Sequence, residues 1–418
     1  MKVAFYTLGC KVNLYETEYM MSLFKQNNYD IVDFKSQSDI YVINGCSVTN
    51  NSDNKSLKII KNIINRKYDK ILIVTGCFSQ NKKEELKDYK IDIILGNNEK
   101  SKVIEYLNKY LEDKKNIYVV NNPKDFVFEN MYLSHFETKT RAFVKIQDGC
   151  DNYCSYCIIP YLRGSCKSKD KDLILKEVNE LVNNNYQEVV LSGIHTGFYN
   201  SNNYDLSDLL NDLNKIKNLK RIRISSIEVT ELNSKFINEL KNNKKIVDHL
   251  HIPLQSGSDK ILKLMNRKYS LDFYYNKIKE IRSIRKDISI TTDIIVGFPN
   301  ESEEDFNNTL EFVKKIKFSK IHVFPFSRRK NTKADVMDNQ IDNNIKKIRS
   351  NKLIELSKQL EIEYLNKFIN KKLDVIFESK EKGYYIGHSS NYILVKTKYK
   401  IFKIKKLEYP YLIGGKDE

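Results

Sequence analysis

Six of the seven cysteines in this 418-residue chain fall into two groups of three. The first group is Cys150, Cys154 and Cys157, in the sequence GCDNYCSYC directly after the apolar run RAFVKIQ. Cysteine thiolates hold 4Fe–4S clusters, normally through four ligands. Three thiolates from one short loop would leave one iron open to a small-molecule ligand. A structural zinc site is the alternative reading, but it needs a fourth ligand, and Cys166 is the only nearby candidate.

The second group, Cys10, Cys46 and Cys77, is scattered in sequence but has a common context. Each cysteine follows a glycine at the end of an apolar run: VAFYTLGC, VINGC and ILIVTGC. Glycine allows close backbone approach at a turn, and the carboxyl ends of parallel strands share one sheet edge, where ligands bind. A lone buried cysteine would be uninformative. Three Gly-Cys pairs predict that these thiols converge on a second cluster, whereas Cys166, in RGSCKSK, is predicted not to be a ligand.

Positioning of the scattered cysteines requires a parallel sheet. Residues 1–120 alternate strand and helix patterns, with the strand candidates VAFYTLG, DIYVING, ILIVTG and IDIILG separated by helical stretches such as ETEYMMSLFKQNN and SLKIIKNIINR. This alternation predicts an α/β domain with helices on both faces of the sheet. Residues 121–140, which contain Pro123, are interpreted as a connection to the next domain.

A second domain is predicted over residues 136–366. Its strand candidates are RAFVKIQ, EVVLSGI, RIRISSI, HLHIPLQ, ITTDIIVGF and KIHVFPFS, with amphipathic helices such as EDFNNTLEFVKKI between them. Six βα units in succession predict a partial TIM-like (β/α)6 barrel with its active site at the carboxyl ends of the strands. The histidines show no zinc-ligand spacing, and His249 and His251 are interpreted as packing or hydrogen-bonding residues.

The last segment, residues 367–418, contains strand patterns only and predicts a small β-barrel. From residue 371 onward it carries eleven lysines and no arginine against six acidic residues, with tyrosines interleaved. Basic barrels with exposed aromatic residues bind single-stranded nucleic acid. An aromatic core surrounded by solvated lysines is the alternative interpretation.

The composition is strongly basic, with 71 Lys and Arg against 54 Asp and Glu and a formal charge of +17. This excess favours a polyanionic partner, although a bias toward Asn and Lys would also produce it. No apolar run approaches the ~18 residues of a membrane span, and the first residues lack the pattern of a signal peptide. The expected location is therefore the cytoplasm, with no membrane partner.

The sequence closely resembles the methylthiotransferases of the radical S-adenosylmethionine superfamily over essentially its whole length. The resemblance implies an N-terminal three-cysteine domain, a radical S-adenosylmethionine barrel and a C-terminal TRAM-like RNA-binding domain. It rests on these segments: TLGCKVNLYETE (7–18), VINGCSVTNNSDNKS (42–56), VTGCFSQ (74–80), VKIQDGCDNYCSYCIIPYLRG (144–164), LSGIHTGFY (191–199), HIPLQSGSDKILKLMNRKY (251–269) and TDIIVGFPNESEEDF (292–306).

What the resemblance implies is an enzyme with two 4Fe–4S clusters and S-adenosylmethionine. One cluster would cleave the cofactor to a 5′-deoxyadenosyl radical, and the other, on Cys10, Cys46 and Cys77, would handle the inserted sulfur. GCKVN followed by YETE resembles the branch that modifies C2 of N6-threonylcarbamoyladenosine at tRNA position 37. The alternatives are N6-isopentenyladenosine in tRNA, a ribosomal protein, or a non-catalytic iron–sulfur RNA-binding protein. Catalysis would also require a sulfur donor and a low-potential electron donor, neither of which the sequence identifies.

The resemblance also implies cofactor contacts. Tyr156 would meet the adenine through its backbone, Ser192 and Gly193 the amino group, and later strand ends the ribose or carboxylate, with loop packing as the alternative for Tyr156. The residues at those later strand ends are Ser225, Glu228 and Gln255.

A basic run near the predicted barrel mouth is expected to contact tRNA phosphates, with a solvated loop as the alternative. It consists of Arg328, Arg329, Lys330 and Lys333. Two asparagines, Asn300 and Asn331, stand where relatives are expected to have glycine. Asparagine tolerates left-handed backbone, so both turns are predicted to persist.

Overall fold

The computed structural model describes residues 1–136 and 141–417, so residues 137–140 of the expected connection lie outside the described residues. The chain forms two compact units. The first unit comprises Met1–Leu206 and Ser327–Asp335, and the second comprises Ser207–Phe326 and Val336–Glu418. The division into domains at 1–120, 136–366 and 367–418 stays a prediction.

Among residues 1–136 and 141–417, no helix combines the length and the apolar character needed to cross a bilayer.

A six-stranded parallel sheet, in the order β2-β1-β3-β4-β5-β6, forms the centre of the first unit. Its strands are β1 (Lys2–Thr7), β2 (Asp30–Val32), β3 (Ile40–Gly45), β4 (Ile71–Gly76), β5 (Ile93–Leu95) and β6 (Ile117–Val119). The predicted parallel sheet is confirmed. The two edge strands β2 and β6 were not predicted; each has only three residues, none of which is fully buried.

Helices cover both faces of this sheet. Successive side chains of a strand point to opposite faces, so the apolar residues on each face need an element to pack against. Side chains such as Val42 and Ile73 pack against one pair of helices, and the alternate residues Ile43 and Val74 pack against the opposite helices. The first pair is α1 (Lys11–Gln26) and α5 (Val103–Asp113), and the opposite set is α2 (Asn50–Ile64), α3 (Cys77–Asn81) and α4 (Lys83–Leu86).

The rest of the first unit carries the CxxxCxxC loop. This loop lies between a short strand and a short helix, and the two longer strands of the region pair in parallel. The elements are β7 (Ala142–Lys145), β8 (Gln147–Asp148), α6 (Ile159–Arg163), β9 (Lys167–Ser168), α7 (Lys171–Asn183), β10 (Glu188–Ser192), β11 (Asn200–Ser201) and β12 (Tyr204–Asp205).

The second unit continues the alternation of strands and helices and contains a parallel sheet in the order β14-β15-β16. Its elements up to that point are α8 (Leu206–Lys215), β13 (Arg221–Ile224), α9 (Ser234–Asn242), β14 (His249–His251), α10 (Asp259–Leu264), α11 (Leu271–Ile284), β15 (Ser289–Val296), α12 (Glu303–Ile316) and β16 (Lys320–Pro325). All six strand candidates predicted between β7 and β16 are present.

A long helix, α13 (Asn343–Asn366), leads to a terminal five-stranded sheet in the order β17-β18-β19-β21-β20. The end of α13 packs on this sheet through Tyr364 and Leu365, which join its apolar core. The strands are β17 (Val375–Glu381), β18 (Tyr384–Ser389), β19 (Leu394–Thr397), β20 (Phe402–Glu408) and β21 (Tyr411–Lys416). The sequence patterns predict the first four, but not β21.

The backbone at the two atypical asparagines is left-handed, with φ of 67° at Asn300 and 71° at Asn331. Asparagine reaches this region at lower cost than other non-glycine residues. The prediction that both turns persist is therefore confirmed.

Gly76, at the end of β4, is predicted to be intolerant of a side chain. Its φ is +98°, and a Cβ there would overlap the Asn44 side-chain oxygen and the Gly45 carbonyl oxygen. Gly383 offers a matched control, since its φ is +81° and nothing lies within 4 Å of a Cβ. Gly76→Ala should therefore lower the free energy of unfolding by about 1–3 kcal/mol more than Gly383→Ala in urea denaturation. Equal effects of the two substitutions would contradict the steric argument.

Candidate active site

The three scattered cysteines of the first unit follow three adjacent strands of the parallel sheet. Gly45 pairs with Gly76 in the β3–β4 register, and Cys46 and Cys77 come directly after them. Cys10 follows β1, the other neighbour of β3, and caps the start of α1. The thiols therefore meet at one edge of the sheet, as the Gly-Cys pattern predicts.

The environment of these thiols reflects their closeness. Cys46 is 7% exposed and Cys77 is 3% exposed, whereas Cys10 is open to solvent. Burial, together with the neighbouring Cys77 and Cys10 sulfurs, raises the pKa of the Cys46 thiol to about 11. The Cys46 thiolate is therefore disfavoured here unless positive charge, such as that of a bound metal group, lies beside it.

A buried guanidinium supplies positive charge at this edge. Arg163, at the end of α6, is 1% exposed, and its Nε donates a hydrogen bond to the Cys77 Sγ at 3.3 Å. Its Nη1 lies 2.9 Å from Glu16 Oε1 and 3.0 Å from both carboxylate oxygens of Asp148. Its Nη2 donates to Asn13 Oδ1 at 2.9 Å. All three nitrogens of this guanidinium therefore donate hydrogen bonds.

Two buried lysines share the carboxylates that bind Arg163. Lys145 Nζ lies 2.9 Å from Glu16 Oε1, and Lys100 Nζ lies 3.2 Å from Glu16 Oε2. Burial opposes ionisation of Glu16, but the Arg163, Lys100 and Lys145 cations outweigh it and hold the pKa of this carboxyl well below its usual range. The pKa of Asp148 is lowered as well, because the charges of Arg163 and Lys145 outweigh its burial. The network named here contains three cations and two carboxylates, so one net positive charge lies beside the Cys77 sulfur.

Two amides complete the surroundings of the thiols. Asn13 Oδ1 lies 3.6 Å from Cys10 Sγ, and Asn13 Nδ2 donates to the Leu8 carbonyl at 2.9 Å. Asn97 Nδ2 lies 3.6 Å from Cys77 Sγ. Hydrogen bonds to ligand sulfurs tune the potentials of iron–sulfur clusters.

The other cysteine group occupies the loop between β8 and α6. The Cys157 amide donates to the Cys154 carbonyl at 2.9 Å, which folds the loop tightly, and the Cys150 amide donates to the Gly164 carbonyl at 3.1 Å. All three thiols are partly exposed, and Cys150 Sγ lies 3.7 Å from His195 Nδ1.

The donor geometry of both groups fits a cluster better than a single ion. With bonds of about 2.3 Å, the sulfurs of a tetrahedral zinc site lie less than about 4 Å apart. Among the described residues, one group of three His, Cys, Asp or Glu brings its ligand atoms within 4.8 Å of one another, and it contains no cysteine. All-thiolate donor sets with wider spacing suit 4Fe–4S clusters. We refer below to Cys10, Cys46 and Cys77 as the auxiliary site and to Cys150, Cys154 and Cys157 as the radical site, the two candidate cluster sites of the chain.

Cys166 lies beside the radical site but has its own contacts. Its Sγ is 3.8 Å from the Gly149 carbonyl oxygen, and its amide donates to Asp151 Oδ2 at 2.9 Å. Burial raises the pKa of this thiol. Its expected status as a non-ligand stays a prediction.

The residues predicted to contact the cofactor in the first unit lie near strand and loop ends. Tyr156 is half-buried in the radical-site loop. Ser192 ends β10, is fully buried, and donates to the Val190 carbonyl at 3.3 Å. A Cβ on Gly193 would approach Gln147 Oε1. Their contacts to a cofactor stay predictions.

The residues predicted to contact the cofactor in the second unit also follow strands. Ser225 follows β13 directly and is half-buried. Glu228 forms an ion pair with Arg267. Gln255 has a φ of 68°, and its backbone N–H donates to the Asp293 backbone carbonyl at 2.8 Å. Their roles also stay predictions.

The basic run divides into exposed and buried members. Arg328 is exposed and pairs with Asp335 at 3.1 Å, and Lys330 and Lys333 are exposed too. Arg329 is instead 3% exposed and bonds to Asp53 at 2.7 Å.

The burial of Arg329 corrects the expectation that this residue contacts tRNA phosphates. Its guanidinium also donates to Ser47 Oγ at 3.0 Å and to Asn50 Oδ1 at 2.6 Å. Its charge is therefore used inside the protein, where it holds the loop that follows Cys46.

Comparison with protein-family models gives two matches. Residues 144–313 match the model described as the Radical SAM superfamily, and residues 2–96 match the model described as uncharacterized protein family UPF0004. Together with the thiol loop between β8 and α6, the first match places the chain in the radical S-adenosylmethionine superfamily.

Curated relatives define the family within that class. The chain is 42% identical to the threonylcarbamoyladenosine tRNA methylthiotransferase MtaB of Bacillus subtilis, over 99% of this chain and 95% of the relative. It is 38% identical to the protein of the same name from Thermotoga maritima, over 93% and 89%. It is 33% identical to the tRNA-2-methylthio-N(6)-dimethylallyladenosine synthase of Clostridium perfringens, over 90% and 86%. The chain therefore belongs to the methylthiotransferase family of radical S-adenosylmethionine enzymes, for which S-adenosylmethionine and 4Fe–4S clusters are the cofactors.

A solved structure supports the fold. The radical S-adenosylmethionine methyltransferase TsrM from Kitasatospora setae superimposes with a TM-score of 0.63 at 10% identity, over 80% of this chain and 77% of that one. At this identity the likeness concerns the fold alone, and it confirms the predicted α/β class.

Several residues that shape the auxiliary site received no role from the sequence. Arg163, Glu16 and Asn13 lie inside the segments 144–164 and 7–18, which carry the family resemblance. Neither segment by itself indicates that Arg163 binds Glu16. The signal that could have identified these residues is the presence of charged and amide side chains within the long segments that resemble the family.

Arg163→Lys is predicted to change the auxiliary cluster without preventing its assembly. Lysine keeps the charge beside Glu16 but lacks the planar Nε–H group that reaches Cys77. Loss of a hydrogen bond to a ligand sulfur disfavours the more negative reduced state, so the midpoint potential of the auxiliary cluster should fall. Redox titration followed by electron paramagnetic resonance, in a Cys154→Ala background, isolates this cluster. Arg349→Lys, at the buried pair with Glu301 in the second unit, should leave the potential unchanged, and an unshifted potential in Arg163→Lys would contradict the assignment.

Proposed function

We propose that this enzyme adds a methylthio group to C2 of N6-threonylcarbamoyladenosine at position 37 of tRNA. The observation that carries the substrate assignment is the difference in similarity among relatives. Identity is 42% to the threonylcarbamoyladenosine enzyme of B. subtilis over 99% of the chain, against 33% to the dimethylallyladenosine enzyme of C. perfringens over 90%.

The two thiol groups would divide the chemistry between them. Cys150, Cys154 and Cys157 would hold a 4Fe–4S cluster with one iron open to S-adenosylmethionine, and the cluster supplies the electron that cleaves this cofactor. Cys10, Cys46 and Cys77 would hold the second cluster, where sulfur is prepared for transfer.

The protein's own residues orient the second set of ligands. Arg163 and Asn97 donate toward Cys77, and Arg329 holds the loop after Cys46 through Asp53. Cys10 has an amide neighbour, Asn13. These contacts would keep each thiolate aimed at its iron.

Contacts with tRNA would come from exposed cations and tyrosines. In the terminal sheet, Tyr399 is 42% exposed and Lys405 and Lys406 point to solvent. Stacking on aromatic rings and neutralisation of phosphates are the physical basis of RNA binding by such surfaces. In the first unit, the exposed members of the basic run supply further positive charge, namely Arg328, Lys330 and Lys333.

Single cysteine substitutions should separate the two proposed activities. Cys154→Ala should abolish formation of 5′-deoxyadenosine, because the radical cluster loses a ligand. Cys46→Ala should retain part of this cleavage but form no methylthio product. Both products are measured by liquid chromatography with mass spectrometry after anaerobic reconstitution.

Cys166→Ala is the matched control, because it removes a thiol beside the radical site without removing a proposed ligand. It should keep both products. Complete loss of cleavage in a folded Cys46→Ala protein would contradict the division of labour. No 5′-deoxyadenosine from fully loaded wild-type protein would favour a non-catalytic RNA-binding protein instead.

The substrate is tested in cells that lack this protein. Mass spectrometry of their tRNA nucleosides should show loss of 2-methylthio-N6-threonylcarbamoyladenosine and accumulation of its unthiolated precursor. The methylthio derivative of isopentenyladenosine should be unchanged. Loss of the isopentenyl derivative with the threonylcarbamoyl derivative intact would overturn the substrate assignment.

A further inference from the structure

Three side chains of the second unit form a compact cluster that contains no cysteine. They are His251 on β14, Asp293 on β15 and His322 on β16, and their ligand atoms all lie within 4.8 Å of one another. His251 Nε2 lies 3.3 Å from Asp293 Oδ2, and the two imidazole centroids are 5.8 Å apart. Among the described residues, this is the group of His, Cys, Asp and Glu side chains close enough to share one ion.

The sheet register places the three side chains on one face. Asp293 is the direct partner of His322 between β15 and β16, and His251 is the partner of Thr291 between β14 and β15. Because successive side chains alternate between faces, Thr291 and Asp293 point the same way. All three strands run parallel, so the cluster is fixed by backbone pairing rather than by a mobile loop.

A threonine orients one of the imidazoles. Thr291 Oγ1 lies 3.0 Å from His251 Nδ1 and 3.1 Å from His249 Nε2. Engagement of Nδ1 leaves His251 Nε2 directed at the Asp293 carboxylate. Metal-binding histidines have their second ring nitrogen held in this way, by a protein oxygen that fixes the ring.

An ordinary ion pair explains only part of the cluster. His251 and Asp293 alone would satisfy one another, but a second imidazole adds no favourable charge and would repel the first if both were protonated. A cation accepts both imidazoles and the carboxylate together. The cluster is also reachable, since His322 is exposed and the Asp293 side chain is 29% exposed.

We propose that His251, Asp293 and His322 bind one divalent transition-metal ion. Two imidazoles and one carboxylate on a common face make the donor set of mononuclear zinc and non-haem iron(II) sites, with the remaining positions open to water or substrate. This site is separate in composition from both thiol groups and does not depend on the proposed tRNA substrate.

The test uses Zn²⁺ as the probe and the full-length protein with both iron–sulfur clusters reconstituted. After chelation of loose metal, the wild-type holoenzyme should bind one Zn²⁺ per chain by equilibrium dialysis with metal analysis. Zinc K-edge X-ray absorption should show a shell of nitrogen and oxygen at about 2.0–2.1 Å, without the sulfur shell at about 2.3 Å that binding to cysteine would give.

Variants locate the ion. His322→Ala and Asp293→Asn should each weaken Zn²⁺ binding by at least about tenfold, and Thr291→Val should weaken it by roughly tenfold through loss of ring orientation. His388→Ala is the matched control, because His388 lies in the terminal sheet and pairs with Glu378. It should bind Zn²⁺ like the wild type.

Folding is checked by circular dichroism, and His322→Phe provides a second variant if His322→Ala fails to fold. Unchanged affinity in a folded His322 variant would overturn the proposal. So would a zinc shell dominated by sulfur, or the absence of bound zinc in the wild-type holoenzyme.

Discussion

The buried guanidinium of Arg163 is the interaction on which the first unit depends. It lies at the end of α6, immediately after the loop of the radical site, and donates to Cys77 Sγ at 3.3 Å in the auxiliary site. It also binds Glu16 on α1 and Asp148 on β8. A buried cation is stable only when anionic or hydrogen-bonding partners surround it. Removal of one partner from such a network typically lowers the free energy of unfolding by about 3–5 kcal/mol. The loop of one thiol group is therefore held at a fixed place relative to the other.

Around that constraint, each auxiliary thiol has its own support. Cys77 receives hydrogen bonds from Arg163 and Asn97, and Cys10 lies beside Asn13. The loop after Cys46 is held by Arg329. The supporting groups come from chain segments that are far apart in sequence. Their contacts join the first and last segments of the first unit. Such preorganisation matches the need of a cluster for thiolates that are fixed before the metal arrives.

Most strands and the convergence of the scattered thiols were predictable because their signals are local. A glycine and a cysteine after an apolar run report a strand end from a few adjacent residues. The strands β2 and β6 have three residues each, which is too short to distinguish a strand from a loop by pattern. Strand β21 contains Gly414 and Gly415, which read as a turn in sequence but lie within antiparallel pairing with β20.

Long-range pairings account for the parts of the site that were not predictable. Arg329 was expected to contact tRNA phosphates because its sequence neighbours are basic, whereas its partner Asp53 lies 276 positions away. The histidines have no spacing that matches a known zinc-binding sequence motif. The structure nevertheless assembles His251, Asp293 and His322 from three strands, where proximity arises from sheet register alone.

The most direct test of this account asks whether the Arg163 guanidinium contacts the auxiliary cluster. Protein labelled with ¹⁵N-arginine, carrying Cys154→Ala so that only the auxiliary cluster forms, is reduced and studied by electron–nuclear double resonance. We expect a ¹⁵N coupling to the cluster that disappears when Arg163 is replaced by lysine. A loaded and folded protein without such a coupling, or a coupling that survives in Arg163→Lys, would contradict it.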